Sequence, residues 1–575
     1  MEPLFKLVTG RTISQGTSME SDGKFSEKYY KAVAIAELNP EDMKDLGIKD
    51  RVKIESKYGS VVLPVKLNKN LPRRVVFIPM GPWANTIVDP STDGIGMPRL
   101  KGTLVTVKPT NEEVTKLEDL LKKYGVTHLE YLPKQRPLEA GPKRKIENVT
   151  CPFCGDLCDH IVVELEGDRI VRAIGACAIS AVKFLNYHKD RILEPMIRDE
   201  SGKLKPVSLD VAVEKAAEIL AEAKYPLLYG WSSTCNEAVE LGVELAEIVE
   251  GVIDNTSTIY HGPTALGVQE VGTARATLGV IKHLADVIIF WGCNPLNAHL
   301  NHIVRFILSE GKYVKGRKDR KIVVIGVRET TTANMADMFI EVEQGKDLEL
   351  ITALRMAVRD LEIEAPVVAG VPREKIIELA DLMRSAKYGV IFVGMDLTMT
   401  GAKFRNLQEL IKLAHDLNEW TRFTLMPMRG HYNVAGANQV KLWLTGYPYA
   451  VDFSLGFPKA IPGVTTTIDL LVNGDVDAAL IIASDPVAHL PQKAVEWLAK
   501  IPVIVIDAKW SLTTSLADVI IPSGIVGIEC EGSAYRMDGV ALRMKKLVDP
   551  PPGVLCDKEI LSLIIEKVKE LKGIA

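Results

Sequence analysis

Cysteine is scarce in this sequence, with eight in 575 residues. Long apolar runs are absent: no stretch of 18 or more apolar residues occurs, so no membrane span is expected. Neither sign of charge prevails. Lys and Arg number 70 against 74 Asp and Glu, for a net charge of −4. No global positive field therefore draws nucleic acid or an anionic membrane. The start, MEPLFKLVTGRTISQG, lacks a basic segment leading into an apolar one and lacks a twin-arginine signal. The expected compartment is the cytoplasm, where thiols stay reduced and clustered cysteines more often mean metal than disulfide.

What is present is ordinary soluble usage, 47% hydrophobic and 25% charged. The length exceeds what one hydrophobic core serves, so several domains are expected. Residues 1–108 read as mostly β: YKAVAIAEL, DRVKIESKYGSVVLPVKL and RRVVFIPMG are short β-branched runs. NPEDMKDLGI is a short helix between them, capped by Asn39, and a small barrel is expected. Residues 109–148 hold an amphipathic helix, NEEVTKLEDLLKKYG, and a Pro, Gly and Lys-rich linker. From about residue 205, helical patterns alternate with apolar strands such as YPLLYGW, DVIIFWG, KIVVIG, GVIFVG and AALIIA. That alternation predicts parallel sheets with helices on both faces.

Within this half, ADVIIFWGCNPLNAHL followed by KIVVIGVRETTTANMAD is echoed by DAALIIASDPVAHLP followed by IPVIVIDAKWSLTTSLAD. Each copy has a strand, a polar turn closed by Pro295 or Pro486, a second strand, a Thr-rich turn and Ala-Asp. Ligands of open α/β sheets sit beyond the carboxyl ends of strands, and both turns fall there. Backbone N–H groups and hydroxyls at such turns suit phosphates and ribose. Two half-sites suggest two nucleotide groups; duplication of a sheet with no ligand is the plainer alternative.

In CPFCGDLCDH, Cys151, Cys154 and Cys158 fall within eight residues, and Cys177 follows a hairpin built around EGD. Four thiolates could hold an iron–sulfur cluster or a structural zinc; unligated thiols are the third reading. Cys235 ends a polar SST turn at the start of a helix, where the helix dipole favours thiolate. It is read as a ligand or nucleophile, or else as a buried structural cysteine. Cys293, Cys530 and Cys556 are read as packing residues.

These segments, with GWSSTC, TTTANMAD, MPMRGHYNVAGAN and PSGIVGIECEGSAYRMDG, resemble the molybdopterin oxidoreductase superfamily over about residues 145–575. Within it they look most like the B subunit of formylmethanofuran dehydrogenase. RTISQG, VVFIPMGPWAN and GIGMPRL resemble its D subunit, a pterin-dinucleotide-binding double-psi barrel. The resemblance implies an α/β, multi-domain fold: the barrel over 1–108, a [4Fe-4S] lobe over 149–204 and cofactor-binding α/β domains over 205–575.

The resemblance further implies two molybdopterin guanine dinucleotides around tungsten or molybdenum. Their expected seats are Gly292, Asn294, Pro295, Arg328, Thr330, Thr331 and Asp337 in the first half-site. Ser484, Asp485, Pro486 and Asp507 serve the second, with Trp83 and Asn85 of the barrel. Cys151, Cys154, Cys158 and Cys177 become cluster ligands, and Cys235 the ligand of the metal, for which a soft thiolate is suited. Arg429 is expected to orient CO2 or formate, whose two oxygens on a planar carbon match a guanidinium fork. Two departures are visible. Asn236 stands where the family carries a histidine after the metal-binding cysteine, and His431 is expected to compensate. Ala178 and Ile179 follow Cys177 where relatives place a lysine, leaving Lys183 as the nearest.

The implied activity is reversible reduction of CO2 to formate, fed by a ferredoxin-type donor and iron–sulfur or polyferredoxin subunits. A separate amidohydrolase-like subunit would use the formate, since no H-x-H metal pair occurs here. A stand-alone formate dehydrogenase, another oxyanion oxidoreductase, a metal-free electron-transfer or scaffold subunit, and a zinc-stapled nucleotide-binding protein are the rival readings.

Overall fold

The computed structural model describes residues 3–126 and 129–574. Six strands close a barrel in the order β1-β5-β2-β4-β3-β6. They are β1 (Leu4–Gly10), β2 (Ala36–Leu38), β3 (Arg51–Ser56), β4 (Gly59–Leu67), β5 (Val75–Pro79) and β6 (Leu104–Pro109). Asn39 caps the expected helix, its Oδ1 accepting from the Glu41 amide at 2.9 Å. Two features differ from the expected mostly-β reading. Helix α1 spans Ile13–Asp22, capped by Thr12. The run read as the strand YKAVAIAEL divides: Tyr30–Val33 end the helix Glu27–Val33, which starts where the Ser26 hydroxyl accepts from the Tyr29 amide, and only Ala36–Leu38 is strand.

Two α/β units follow. Four consecutive parallel pairings join Val252–Asn255, Pro226–Gly230, Ala478–Ile482, Val503–Asp507 and Val519–Pro522 in one sheet of eight strands. Strands Met196–Arg198 and Leu204–Pro206 extend its edge, although the sequence reading grouped them with the cluster lobe. The second sheet is wholly parallel, in the order Met338–Glu341, Lys321–Gly326, Val287–Trp291, Gly389–Val393, Phe423–Pro427. Every residue of Val287–Trp291 and Gly389–Val393 is buried, as strands covered on both faces require.

The barrel is not a loosely tethered module. Its interior residues Phe5, Leu7 and Ile78 belong to the same apolar cluster as Tyr229, Ile481 and Val505 of the eight-stranded sheet. Among the described residues, no helix is long and apolar enough to cross a membrane. Cys530 and Cys556, expected as packing thiols, are joined in a disulfide. A disulfide is not by itself a mark of export, since some intracellular proteins carry them.

One buried acid gives the fold a pH dependence. Asp347 accepts from the Trp291 indole at 2.9 Å, and its Oδ2 has no partner. Burial, then the Trp291 bond and the Asp396 charge, set its pKa, raised from 3.8 to about 7. The folded value lies above the unfolded one, so this group's penalty grows as pH rises between them and is complete above about 7. Asp347→Asn, which cannot ionise, should gain up to about 4 kcal/mol over the native protein near pH 8 and nothing near pH 4. Denaturant midpoints at the two pH values check this.

Candidate cofactor cavity and cysteine lobe

The two echoed turns match atom for atom. Thr332 Oγ1 donates to Asn294 Oδ1 at 2.6 Å, and Thr513 Oγ1 donates to Asp485 Oδ1 at 2.7 Å. The Leu296 amide donates to the same Thr332 oxygen at 3.3 Å, and the Val487 amide to Thr513 at 3.2 Å. Asp337 and Asp518 each accept a strand-opening amide, from Ile322 at 2.7 Å and Val503 at 2.8 Å. Even the backbone repeats, with φ/ψ of −130°/74° at Asn294 and −133°/76° at Asp485. The two sheets therefore present the same polar edge twice.

Between these edges and the barrel lies a cavity of about 450 Å³. Gly292, Asn294, Pro295, Arg328, Thr330, Ser484, Asp485, Asp507, Lys183, Cys154 and His431 line it. The barrel closes it. Lys24 Nζ pairs with Asp485 at 2.6 Å, and the Arg328 guanidinium stacks over Phe77 of β5 at 4.4 Å. Sequence reasoning missed several wall residues: Arg11, Gln15 and Glu20 of the barrel, Lys101, Lys509, and the pair Tyr260–His261. Lys183, uncertain between cavity and solvent, reaches the carboxylate of Glu20 at 3.3 Å. Against the effect of burial, Lys183 and Lys509 hold the Glu20 carboxyl below its usual range.

Other expected residues lie elsewhere. Cys235 does not line the cavity, although Ser233 does. Cys235 caps the helix Asn236–Ile248, and its thiol packs against Glu237 and the backbone of Gly532. Burial, then the nearby Asp557, push that thiol up to about 12, while the Ala238 amide at the helix start draws it down. Asn236 donates to Ser533 Oγ at 3.1 Å and accepts from Asn433 at 3.0 Å, so it serves as a brace. Asp337 is a strand cap paired with Arg317, and Thr331 braces Asn294 and Asn297. Trp83 is buried in the barrel and donates to Thr115 O at 2.8 Å. Pro486 and Asn85 are buried and do not line the cavity. The helix Pro82–Asn85 packs against Pro486–His489, and both Asn85 amide atoms lack partners. Arg429 lines a separate cavity. Cys293, expected in packing, lines the first half-site and donates to Phe392 O at 3.6 Å.

In the cysteine lobe, β8 (Ile161–Glu166) and β9 (Arg169–Ile174) form the expected hairpin, and β7 (Lys143–Val149), whose start was read as linker, adds a third strand. The hairpin returns Cys177 to the other three. The Cys151 amide donates to Cys158 O at 2.9 Å, and Cys177 contacts Ser180, a neighbour that Cys151 shares. Cys154 pairs as a single β-bridge with His431, so the thiol lobe abuts the cavity directly. Among the described residues, no three His, Cys, Asp or Glu are gathered around a single ion position.

The cavity wall fits an anionic, hydrogen-bonding group. Gln15 Oε1, Ser484 Oγ, Trp510 Nε1 and Ser511 Oγ are buried there without partners, and native interiors rarely leave such atoms unsatisfied. At the first turn, a Cβ on Gly394 would stand 2.0 Å from Gly292 O, so the backbone there is as close as glycine allows.

Residues 5–104 match the molydopterin dinucleotide binding domain, and residues 191–567 match molybdopterin oxidoreductase. Over 430 residues the chain is 49% identical to the B subunit of tungsten-containing formylmethanofuran dehydrogenase 2 from Methanocaldococcus jannaschii, covering 74% of this chain and 99% of that one. Protein FwdD of the same organism is 44% identical over 132 residues, 22% of this chain and 98% of FwdD. Among solved structures, the formyltransferase/hydrolase complex (FhcABCD) from Methylorubrum extorquens aligns with a TM-score of 0.54 at 24% identity, covering 66% of this chain and 100% of that chain. The chain belongs to the molybdopterin oxidoreductase family, with a barrel similar to FwdD and a remainder similar to the B subunit of formylmethanofuran dehydrogenase in one polypeptide.

Proposed function

We propose that the chain is the formate-dehydrogenase-like part of a formylmethanofuran dehydrogenase, interconverting CO2 and formate in the cytoplasm. The observation that carries this reading is the duplicated edge, Asn294–Thr332 and Asp485–Thr513, under one barrel. A duplicated edge suits a duplicated ligand, here two molybdopterin guanine dinucleotides holding one tungsten or molybdenum. The parallel β1–β5 and β2–β4 pairings favour a double-psi barrel. When bound, the pterin–metal group would supply two-electron redox chemistry. Arg11, Lys24, Arg328 and Lys509 would neutralise its phosphates, and the orphaned hydroxyls and amides would hydrogen-bond it. Cys151, Cys154, Cys158 and Cys177 would hold a [4Fe-4S] cluster, with Cys154 on the cavity side. A ferredoxin-type donor, iron–sulfur subunits and an amidohydrolase-like subunit are the partners this reading requires.

Burial, then the charges of Arg11 and Lys24, push the His431 imidazole down to about 4. It is therefore neutral at pH 7, with Nδ1 3.4 Å from Thr256 Oγ1, and Nε2 is the atom we assign to accept or return the proton. Tyr260 stands on the cavity wall with its hydroxyl accepting from Arg11 Nη2 at 3.2 Å, where it would hydrogen-bond the bound group. Cys235, two residues beyond the cavity-lining Ser233, is the soft thiolate that would hold the metal, on turning from Glu237 toward the cavity. Cys235→Ser should lower bound metal and change the metal-edge X-ray spectrum; a Cys235→Ser protein with native metal content and an unaltered spectrum would overturn the thiolate reading. The metal-free scaffold reading would gain from a folded protein that takes up pterin but no metal.

A further inference from the structure

Two segments of the large cavity's wall are tied to each other covalently. Cys530 and Cys556 form a disulfide, whereas the other six cysteines are free thiols. Wall residues flank both ends of that bond. Ser523, Gly524, Ile525 and Val526 shortly precede Cys530, and Asp557 directly follows Cys556; all five line the cavity. The two segments also meet through backbone, the Gly524 amide donating to Leu555 O at 2.9 Å.

The segments are held unequally. Glu529 anchors the first, its Oε2 accepting from the Ile525 amide at 2.9 Å. The second arrives through DPPPGVLC, irregular backbone from Asp549 to Cys556 whose three prolines have no N–H to donate. The sulfurs differ in access as well. Cys530 is 1% exposed, whereas Cys556 is half-buried, so an incoming thiolate meets the Cys556 sulfur first. The barrel closes the cavity on its other side, so a bulky ligand needs a part of the wall that opens. The junction of these two segments is wall, and its covalent tie is reversible.

We propose that Cys530–Cys556 is a thiol–disulfide exchange site that latches the cavity: the disulfide retains the bound group, and the dithiol lets it enter or leave. The identity of that group as a pterin dinucleotide rests on the proposed function; the exchange site does not. The reductant is a dithiol. One of its thiolates attacks Cys556 Sγ, forming a mixed disulfide and expelling Cys530 as a thiolate, which takes up a proton. The second thiol of the reductant then attacks its own bonded sulfur and expels Cys556, which takes up the other proton. Two electrons and two protons pass from the dithiol to the protein, and a small-molecule disulfide reverses the exchange.

The test uses the full-length protein carrying its bound nucleotide, held anaerobically with or without dithiothreitol, then alkylated and mapped at Cys530 and Cys556. Cys556→Ser is the permanently open form; Cys556 is the N-cap of the helix Asp557–Lys572, and serine caps well, so the helix should persist. Dithiothreitol should free both thiols and speed loss of guanine nucleotide about tenfold, the scale on which a site loses its supporting contacts. Oxidised glutathione should restore retention. Cys556→Ser should lose nucleotide at the fast rate with or without dithiol. Freed thiols with unchanged retention, or a bond that resists dithiol in the folded protein, overturn the latch and leave the proposed function standing. In protein without bound nucleotide, amide exchange in residues 523–528 and 549–557 should rise on reduction. That rise in a protein that never takes up pterin would keep the latch and remove the proposed function.

Discussion

Replacing Glu529 by glutamine is expected to lower the stability of the protein by about 3–5 kcal/mol, the largest single-site loss anticipated here. Glu529 is fully buried, and its Oε1 receives Nη1 of Arg136 and Nη1 of Arg191, each at 2.6 Å. Its Oε2 accepts the Ile525 amide at 2.9 Å. Arg191 is equally buried and also donates to Ala508 O and Ser523 O. One carboxylate thus ties the linker ahead of the cysteine lobe, the lobe's end and the segment leading to Cys530. Glutamine preserves the shape, and Arg136 keeps its pair with Asp168 at 2.8 Å, but the buried Arg191 loses its only carboxylate, and that uncompensated charge sets the cost. The exposed pair Lys546–Asp549 is the control, since such pairs contribute about 1 kcal/mol or less. Urea denaturation of Glu529→Gln and Lys546→Gln should separate them clearly; equal midpoints would mean the network carries no net stability.

Gly394→Ala is expected to have the largest effect on cofactor content. The new Cβ would meet Gly292 O at 2.0 Å and Cys293 Cβ at 2.4 Å. Both obstacles belong to the turn that presents the first half-site, so that turn must move. The backbone of Gly394 is not in the left-handed region, with φ −105°, so crowding alone causes the effect. Bound tungsten or molybdenum should fall by roughly tenfold or more, as when a metal site loses its supporting shell. Gly401, where a Cβ would meet nothing within 4 Å, is the matched control. Metal and guanine nucleotide per chain, measured for both variants, decide the point. Native-like loading of Gly394→Ala would mean that this turn does not shape the cofactor seat.

The repeat was the most legible part of the chain. Strand, polar turn, proline and Thr-rich turn recur in order, and the sheet geometry turns that order into two matching edges. The Cys151–Cys177 hairpin was legible for the same reason, because a short loop fixes where its ends return. What sequence could not supply was side-chain direction. Cys235 is at the expected strand end, but only the fold shows its thiol turned toward Glu237 and Gly532. Arg429 and His431 are two residues apart in sequence and still line different cavities. Tyr260 and His261 lie in a stretch, DNTSTIYHGPT, with no periodic pattern to flag them. Helix α1 was missed because its polar run carries no apolar stripe, and it is held by Thr12 and the barrel. Cys530 and Cys556 are 26 residues apart, and only their position in space makes them a pair.

The claim on which the account depends is that the space between the barrel and the two sheets holds paired pterin nucleotides and one heavy metal. Anaerobically purified full-length protein, produced with tungstate and molybdate, can be assayed together for guanine nucleotide, tungsten, molybdenum and iron. The account predicts about two guanine nucleotides, about one tungsten or molybdenum and about four iron atoms per chain. Folded protein that carries zinc on its cysteines and no pterin nucleotide would contradict it.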